Sequence, residues 1–126
     1  MKIKSVSGVT CEVKSLEKTA KFYEALGFEI RKREADHLTA YSNWFWIDFR
    51  LGSRETRPEF KKDAAAADKG AALFLHLSVD DVDAFQKGLL AKGIKAPGKP
   101  QDRPWGDREL VLRDPDGYRL VIFKRK

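Results

Sequence analysis

Residues Val9–Phe28, VTCEVKSLEKTAKFYEALGF, and residues Leu75–Ile94, LHLSVDDVDAFQKGLLAKGI, decide the fold of this chain. Each begins with an alternating apolar run, the pattern of a strand with one buried face. Each then changes to helical spacing. In the first, Leu16, Ala20, Tyr23 and Leu26 recur along one helix face, and Ser15 is placed to cap the helix, with Lys18 where a capping box would carry Glu. In the second, Val82, Phe85, Leu89 and Leu90 make the same face behind Asp80 or Asp81. Gly27 and Gly93 sit where a helix is stopped by a residue in the left-handed region. Adding 66 to Val13, Leu16 and Gly27 gives Val79, Val82 and Gly93, so strand, helix and stop recur in phase. That recurrence predicts an internal duplication.

Strands are expected around both units. Val6–Val13, a strand starting at Phe28, His37–Ser42 and Trp44–Leu51 complete the first half. Leu73–Val79, a strand starting at Ile94, Glu109–Arg113 and Tyr118–Phe123 complete the second. Asp114-Pro115-Asp116-Gly117 joins the last two as a tight turn. The expected class is α+β: two βαβββ modules forming a half-open barrel-like sheet with helices on the convex face. One domain spans residues 1–126, with modules at about 1–52 and 71–126 and a connection at 53–70. The alanines Ala64–Ala67 make that connection a short helical turn or a mobile flap.

The alternation also sorts side chains by face. Phe45, Ile47, Phe49 and Leu51 are expected beneath a helix. Trp44, Trp46, Asp48 and Arg50 take the other side, where flat apolar surface beside a few charges resembles a pocket wall. The competing reading is a surface or dimer contact, which tryptophan and arginine also favour. In the second half Phe74, His76 and Ser78 oppose the apolar set Leu73, Leu75, Leu77 and Val79. His76 is either a structural histidine or a proton carrier. His37 reads as surface. Trp105, between Pro104 and Gly106, is either a rim over a pocket or a loop anchor. Glu109 is either a ligand contact or an arginine's internal partner.

Composition narrows the classes. A single cysteine, Cys11, excludes an internal disulfide and a cysteine metal cluster, and its place between Val9 and Val13 marks a buried small hydrophobe. No apolar run approaches the ~20 residues that span a bilayer. Met1-Lys2-Ile3-Lys4 does not resemble a signal peptide, so a cytoplasmic location is expected. The net charge of +6 and the pI of about 9.5 invite a nucleic-acid reading. Acidic residues interleave with the basic ones, however, and the only dense run is Lys124-Arg125-Lys126. No membrane or nucleic-acid partner is expected.

Three stretches resemble the vicinal-oxygen-chelate superfamily, the fold of glyoxalases, bleomycin-resistance proteins and extradiol dioxygenases. They are Val9–Leu16 with Phe22-Tyr23 and Leu26-Gly27-Phe28; Leu77–Val82 with Gly93-Ile94; and Pro104–Glu109 with Asp114-Pro115-Asp116-Gly117-Tyr118. Metal-dependent members bind a divalent ion through His and Glu on four strands. The resemblance places those positions at Gly8, Asp48, Phe74 and Val121, of which only Asp48 has a donor. No metal and no other cofactor is therefore expected. Glu12 and His76 are the further donors nearby, and with Asp48 they are the candidate acid–base residues. The resemblance implies a metal-free binding protein of the antibiotic-resistance type, in which an aromatic small molecule stacks in a cleft, with a homodimer expected. Trp44, Trp46, Phe74 and Trp105 would stack on the ligand, and Asp48, Arg50 and His76 would orient it. The alternative is a glyoxalase-like isomerase, lyase or dioxygenase with a shifted or absent metal site. Bleomycin itself is cationic whereas this chain is basic, which makes a neutral or anionic aromatic equally suitable.

Overall fold

A computed structural model describes residues 1–54, 57–60, 62 and 65–125. The chain divides into two compact units, Met1–Ala67 and Asp68–Lys126. The class is α+β, with one four-stranded mixed sheet and one principal helix in each unit.

In the first unit β1 (Gly8–Val13), α1 (Leu16–Leu26), β2 (Glu29–Arg31), β3 (His37–Ser42) and β4 (Phe45–Leu51) follow one another. The sheet order is β1-β4-β3-β2, with β1 parallel to β4 and the other pairs antiparallel. The second unit repeats this with β5 (Phe74–Ser78), α2 (Val82–Ala91), β6 (Gln101–Asp102), β7 (Asp107–Arg113) and β8 (Arg119–Arg125). Its order is β5-β8-β7-β6, with β5 parallel to β8.

The helix ends explain why the repeat is in phase. The Ser15 hydroxyl accepts from Lys18 N–H, and the Asp81 carboxylate accepts from Ala84 N–H, so both helices start on the same side-chain cap. At the other end Gly27 and Gly93 adopt φ of 107° and 80°, open to glycine at little cost. Gly27 N–H reaches Glu24 O while Phe28 N–H reaches Tyr23 O; Gly93 N–H reaches Leu90 O while Ile94 N–H reaches Leu89 O. This paired closure satisfies the last carbonyls of each helix.

The same closure corrects two expected strand starts. It engages the amide of the residue after each glycine, so β2 begins at Glu29 rather than Phe28. In the second unit Pro97 and Pro100 lack N–H donors, and the strand expected from Ile94 is reduced to Gln101–Asp102. β1 begins at Gly8, with exposed Val6 outside it, and β4 begins at Phe45 rather than Trp44. The connection contains short 3-10 turns at Gly52–Arg54 and Pro58–Phe60. Ala64 of the alanine run and Lys126 of the basic terminus lie outside the described residues.

Each unit has its own core on the helix side of its sheet. In the first, Ile47 and Phe49 are fully buried with Tyr23, whose ring meets Phe49 at 4.6 Å; Cys11, Val13, Leu38 and Ala40 complete the layer. In the second, Leu110, Leu112, Leu120 and Ile122 are fully buried with Val82 and Leu89 of α2. The other side of each sheet is free to carry polar and aromatic side chains.

Candidate functional site

Strand register lays out the polar face of the first unit as pairs. Gly8 lies beside Trp46, Thr10 beside Asp48 and Glu12 beside Arg50. On the far side of β4, Tyr41, Thr39 and His37 flank the same three residues.

Trp46 owes its position to Gly8. A Cβ built at Gly8 would fall 2.3–2.5 Å from three adjoining ring carbons of the Trp46 indole. Near-equal distances to three ring carbons mean that the face of the indole rests on the glycine backbone. Any side chain at position 8 would have to lift the ring. Trp46 is half-buried and forms a flat apolar surface on the sheet.

Beside it stands a fixed ion pair. Arg50 Nε donates to Asp48 Oδ2 at 3.0 Å, and the Thr39 hydroxyl donates to Asp48 Oδ1 at 3.4 Å. A second pair, Arg57 with Glu12 at 3.6 Å, lies on the same sheet. In both, the carboxylate is the inner partner. The Asp48 and Glu12 side chains are 16% and 14% exposed, against 46% and 47% for Arg50 and Arg57. Further out, the Arg31 guanidinium lies 4.5 Å over the Tyr41 ring. Hydrogen bonds to Arg31 hold the Glu29 carboxyl below its usual range.

The corresponding face of the second unit is built from Phe74 beside Arg119, His76 beside Val121 and Ser78 beside Phe123. Phe74 is exposed. His76 is half-buried, with its ring edge-on to Phe123 at 5.8 Å. Arg119 donates to Gly70 O and pairs with Asp68 at 3.6 Å.

Trp44 sits apart from the first unit's face, whereas Trp105 reaches the second unit's face through Glu109, which pairs with Phe123. Trp44 is in the Asn43-Trp44 turn between β3 and β4 and is 78% exposed, so the strand alternation that set it beside Trp46 does not reach it. Trp105 occupies the tip of the β6–β7 hairpin. Its Nε1 donates to Glu109 Oε2 at 3.2 Å, while Arg103 Nε donates to Glu109 Oε1 at 3.1 Å. Glu109 is thereby an internal partner that ties down the hairpin, and the indole of Trp105 stays exposed. His37 departs from its surface reading. Its side chain is 19% exposed, and Nδ1 faces Asp36 at 3.2 Å and Glu34 at 3.4 Å. The hydrogen bond with His37 lowers the Asp36 pKa. Among the described residues this trio alone brings three donor atoms within 4.8 Å of one another. It is a hydrogen-bonded cluster within the β2–β3 hairpin, away from Trp46.

Sequence reasoning did not single out Thr39 or Arg57. Thr39 carried a usable signal, since it lies in the alternating run of β3. Arg57 lies in the connection, which has no periodicity to read.

Comparison with known proteins places this architecture. The model of the Glyoxalase/Bleomycin resistance protein/Dioxygenase superfamily matches residues 8–122, and the chain belongs to that family. It is 32% identical over 117 residues to the uncharacterized protein YraH of Bacillus subtilis, covering 89% of this chain and 91% of that one. A superfamily member from Nocardioides superposes with a TM-score of 0.82 at 20% identity, over 99% of this chain and 85% of its own. Virulence protein STM3117 of Salmonella typhimurium gives 0.79 at 21% identity, with both chains fully covered. A member from Sphaerobacter thermophilus gives 0.74 at 24% identity, over 96% and 97%. At these identities the structures establish the fold alone.

The metal of the metal-dependent members does not fit the residues present. Gly8, Phe74 and Val121 offer no side-chain donor. The space into which a residue at position 8 would project is filled by the Trp46 indole. Asp48, the remaining position, is engaged by Arg50 and Thr39.

Proposed function

We propose that this protein is a non-enzymatic small-molecule binding protein of the resistance type, holding a planar aromatic ligand against Trp46. The observation that carries the reading is the indole lying face-down on the Gly8 backbone while the side chain stays half-exposed. A flat, half-exposed aromatic with fixed polar neighbours is what a stacking site requires. Asp48 and Arg50 supply the orienting charges in the first unit, and Phe74 and His76 offer a second aromatic and polar set in the other unit. Exposed Trp44, Phe74 and Trp105 support a homodimer as the assembled form, since large apolar side chains left in water favour association.

The test is a thermal midpoint of chelator-treated protein against planar aromatics and divalent metals. A ligand at about 100 times its Kd adds about 2.7 kcal/mol and raises the midpoint by several degrees. Stabilisation by an aromatic, abolished in Trp46→Leu, is the expected result. Stabilisation by Zn, Ni, Mn or Fe alone would move the assignment to an enzyme of the glyoxalase or dioxygenase kind, using Asp48, Glu12 and His76.

A further inference from the structure

Resting on that binding reading, we infer that the first unit selects aromatic ligands carrying an acidic group, and that the Arg50 guanidinium is the selecting element. Arg50 bends back along β4 to reach Asp48 through Nε. Its guanidinium therefore lies over position 48, one same-face step from Trp46. Such a step is about 6.8 Å in a strand. A ring stacked on Trp46 would bring an acidic group on its edge to that guanidinium.

The ion pair sets which charge the ligand meets. Asp48 is the inner member and holds Nε; the other Arg50 N–H groups make no hydrogen bond among the described residues, and the Asp36 carboxylate, whose pKa the Arg50 charge helps to lower, is the second acidic group near the guanidinium. A guanidinium locked by a carboxylate on one side presents a planar pair of donors on the other, matched to a carboxylate, sulfonate or phosphate. The second pair is layered in the same sense, with Glu12 inward and Arg57 outward. Within each of these two pairs a ligand meets guanidinium before carboxylate. The chain's net charge of +6 favours approach of an anion as well.

Calorimetric titration with three matched probes tests this: 2-naphthoate, 2-naphthalenemethanol and 2-naphthylmethylamine. The acid is expected to bind at least tenfold more tightly than the alcohol, and the amine most weakly. In R50Q the acid should bind no more tightly than the alcohol does to the same variant, and the far-UV circular dichroism and thermal midpoint of R50Q show whether it is folded. Should R50Q fail to fold, R50K keeps the charge but loses the planar fork. A severalfold loss of acid preference is then expected, and an undiminished preference overturns the assignment to Arg50. Equal binding of acid and alcohol, or tightest binding of the amine, overturns the inference and leaves the aromatic-binding reading standing. Binding of none of the three, or binding unaffected by Trp46→Leu, removes the Trp46 reading itself and the inference with it.

Discussion

The two units share a topology and differ in what they display. Position 8 of the first unit corresponds by the repeat to position 74 of the second. One is a glycine supporting a tryptophan from the neighbouring strand; the other is itself the aromatic, beside Arg119. Thr10 with Asp48 becomes His76 with Val121, and Glu12 with Arg50 becomes Ser78 with Phe123. On the helix side little has changed. Ile47 and Phe49 match Leu120 and Ile122, and all four are fully buried. Packing density holds the inner face to large apolar side chains, because a lost methylene leaves a cavity. The opposite face is not held to large apolar side chains, and there the two copies have diverged to different chemistry.

The largest effect should come from the shared side. Phe49→Ala removes a fully buried ring that meets Tyr23 and is expected to cost about 3–5 kcal/mol. Ile122→Ala, its counterpart, is expected to cost about 2–5 kcal/mol. Urea unfolding measures both. A near-neutral result at either position would mean that the buried faces of the units are not equivalent.

The diverged side gives the sharper contrast. Gly8→Ala forces the indole off the backbone and should cost about 1–3 kcal/mol by overpacking, along with aromatic-ligand affinity. Phe74→Ala, at the equivalent position, truncates an exposed side chain and should change stability by less than about 0.5 kcal/mol. Equal costs at the two positions would break the distinction drawn between them.

The helix caps test how closely the units still agree. Ser15→Ala and Asp81→Ala each remove the acceptor for one N-terminal amide, at about 1 kcal/mol apiece. Thermal unfolding should show the two losses to be alike and, because the sites belong to separate units, additive. A much smaller loss at Ser15 would show that α1 is held by its buried Tyr23 and Phe22 rather than by its cap.

What was legible in the sequence follows the same division. Strand alternation and helix stops are local, so the buried set and the offset of 66 could be read from residue types alone. The support of Trp46 by Gly8 could not, because it joins two strands whose pairing is set by the folded register. Trp44 was misplaced by a single residue at a strand boundary, where the turn at Asn43 takes over. Glu109 was undecidable until the β6–β7 hairpin brought Arg103 and Trp105 to the same carboxylate. His37 read as surface because nothing in its run announces that the hairpin turns Glu34 and Asp36 onto its ring.

The smallest expected effect separates the two helices by charge. Asp83 in the first turn of α2 receives two hydrogen bonds from Arg108 of β7, at 2.8 and 2.9 Å, and these hold its carboxyl below the ordinary carboxylate range. Glu17, at the equivalent place in α1, among the described residues reaches only along its own helix to Lys21 at 3.7 Å. A carboxyl with a depressed folded pKa contributes stability above its unfolded pKa and loses it as pH falls through the folded value. The tie between α2 and β7 should therefore weaken only under acid, below the ordinary carboxylate range. In Arg108→Met the Asp83 carboxyl should titrate at its ordinary value by NMR, and the acid-side fall in stability that depends on this tie should disappear. Lys21→Met should leave the pH profile unchanged, since an exposed pair within one helix contributes little. An Asp83 titration unmoved by Arg108→Met would mean that α2 is anchored by its buried Val82 and Leu89 alone, as a helix without a charged tie would be.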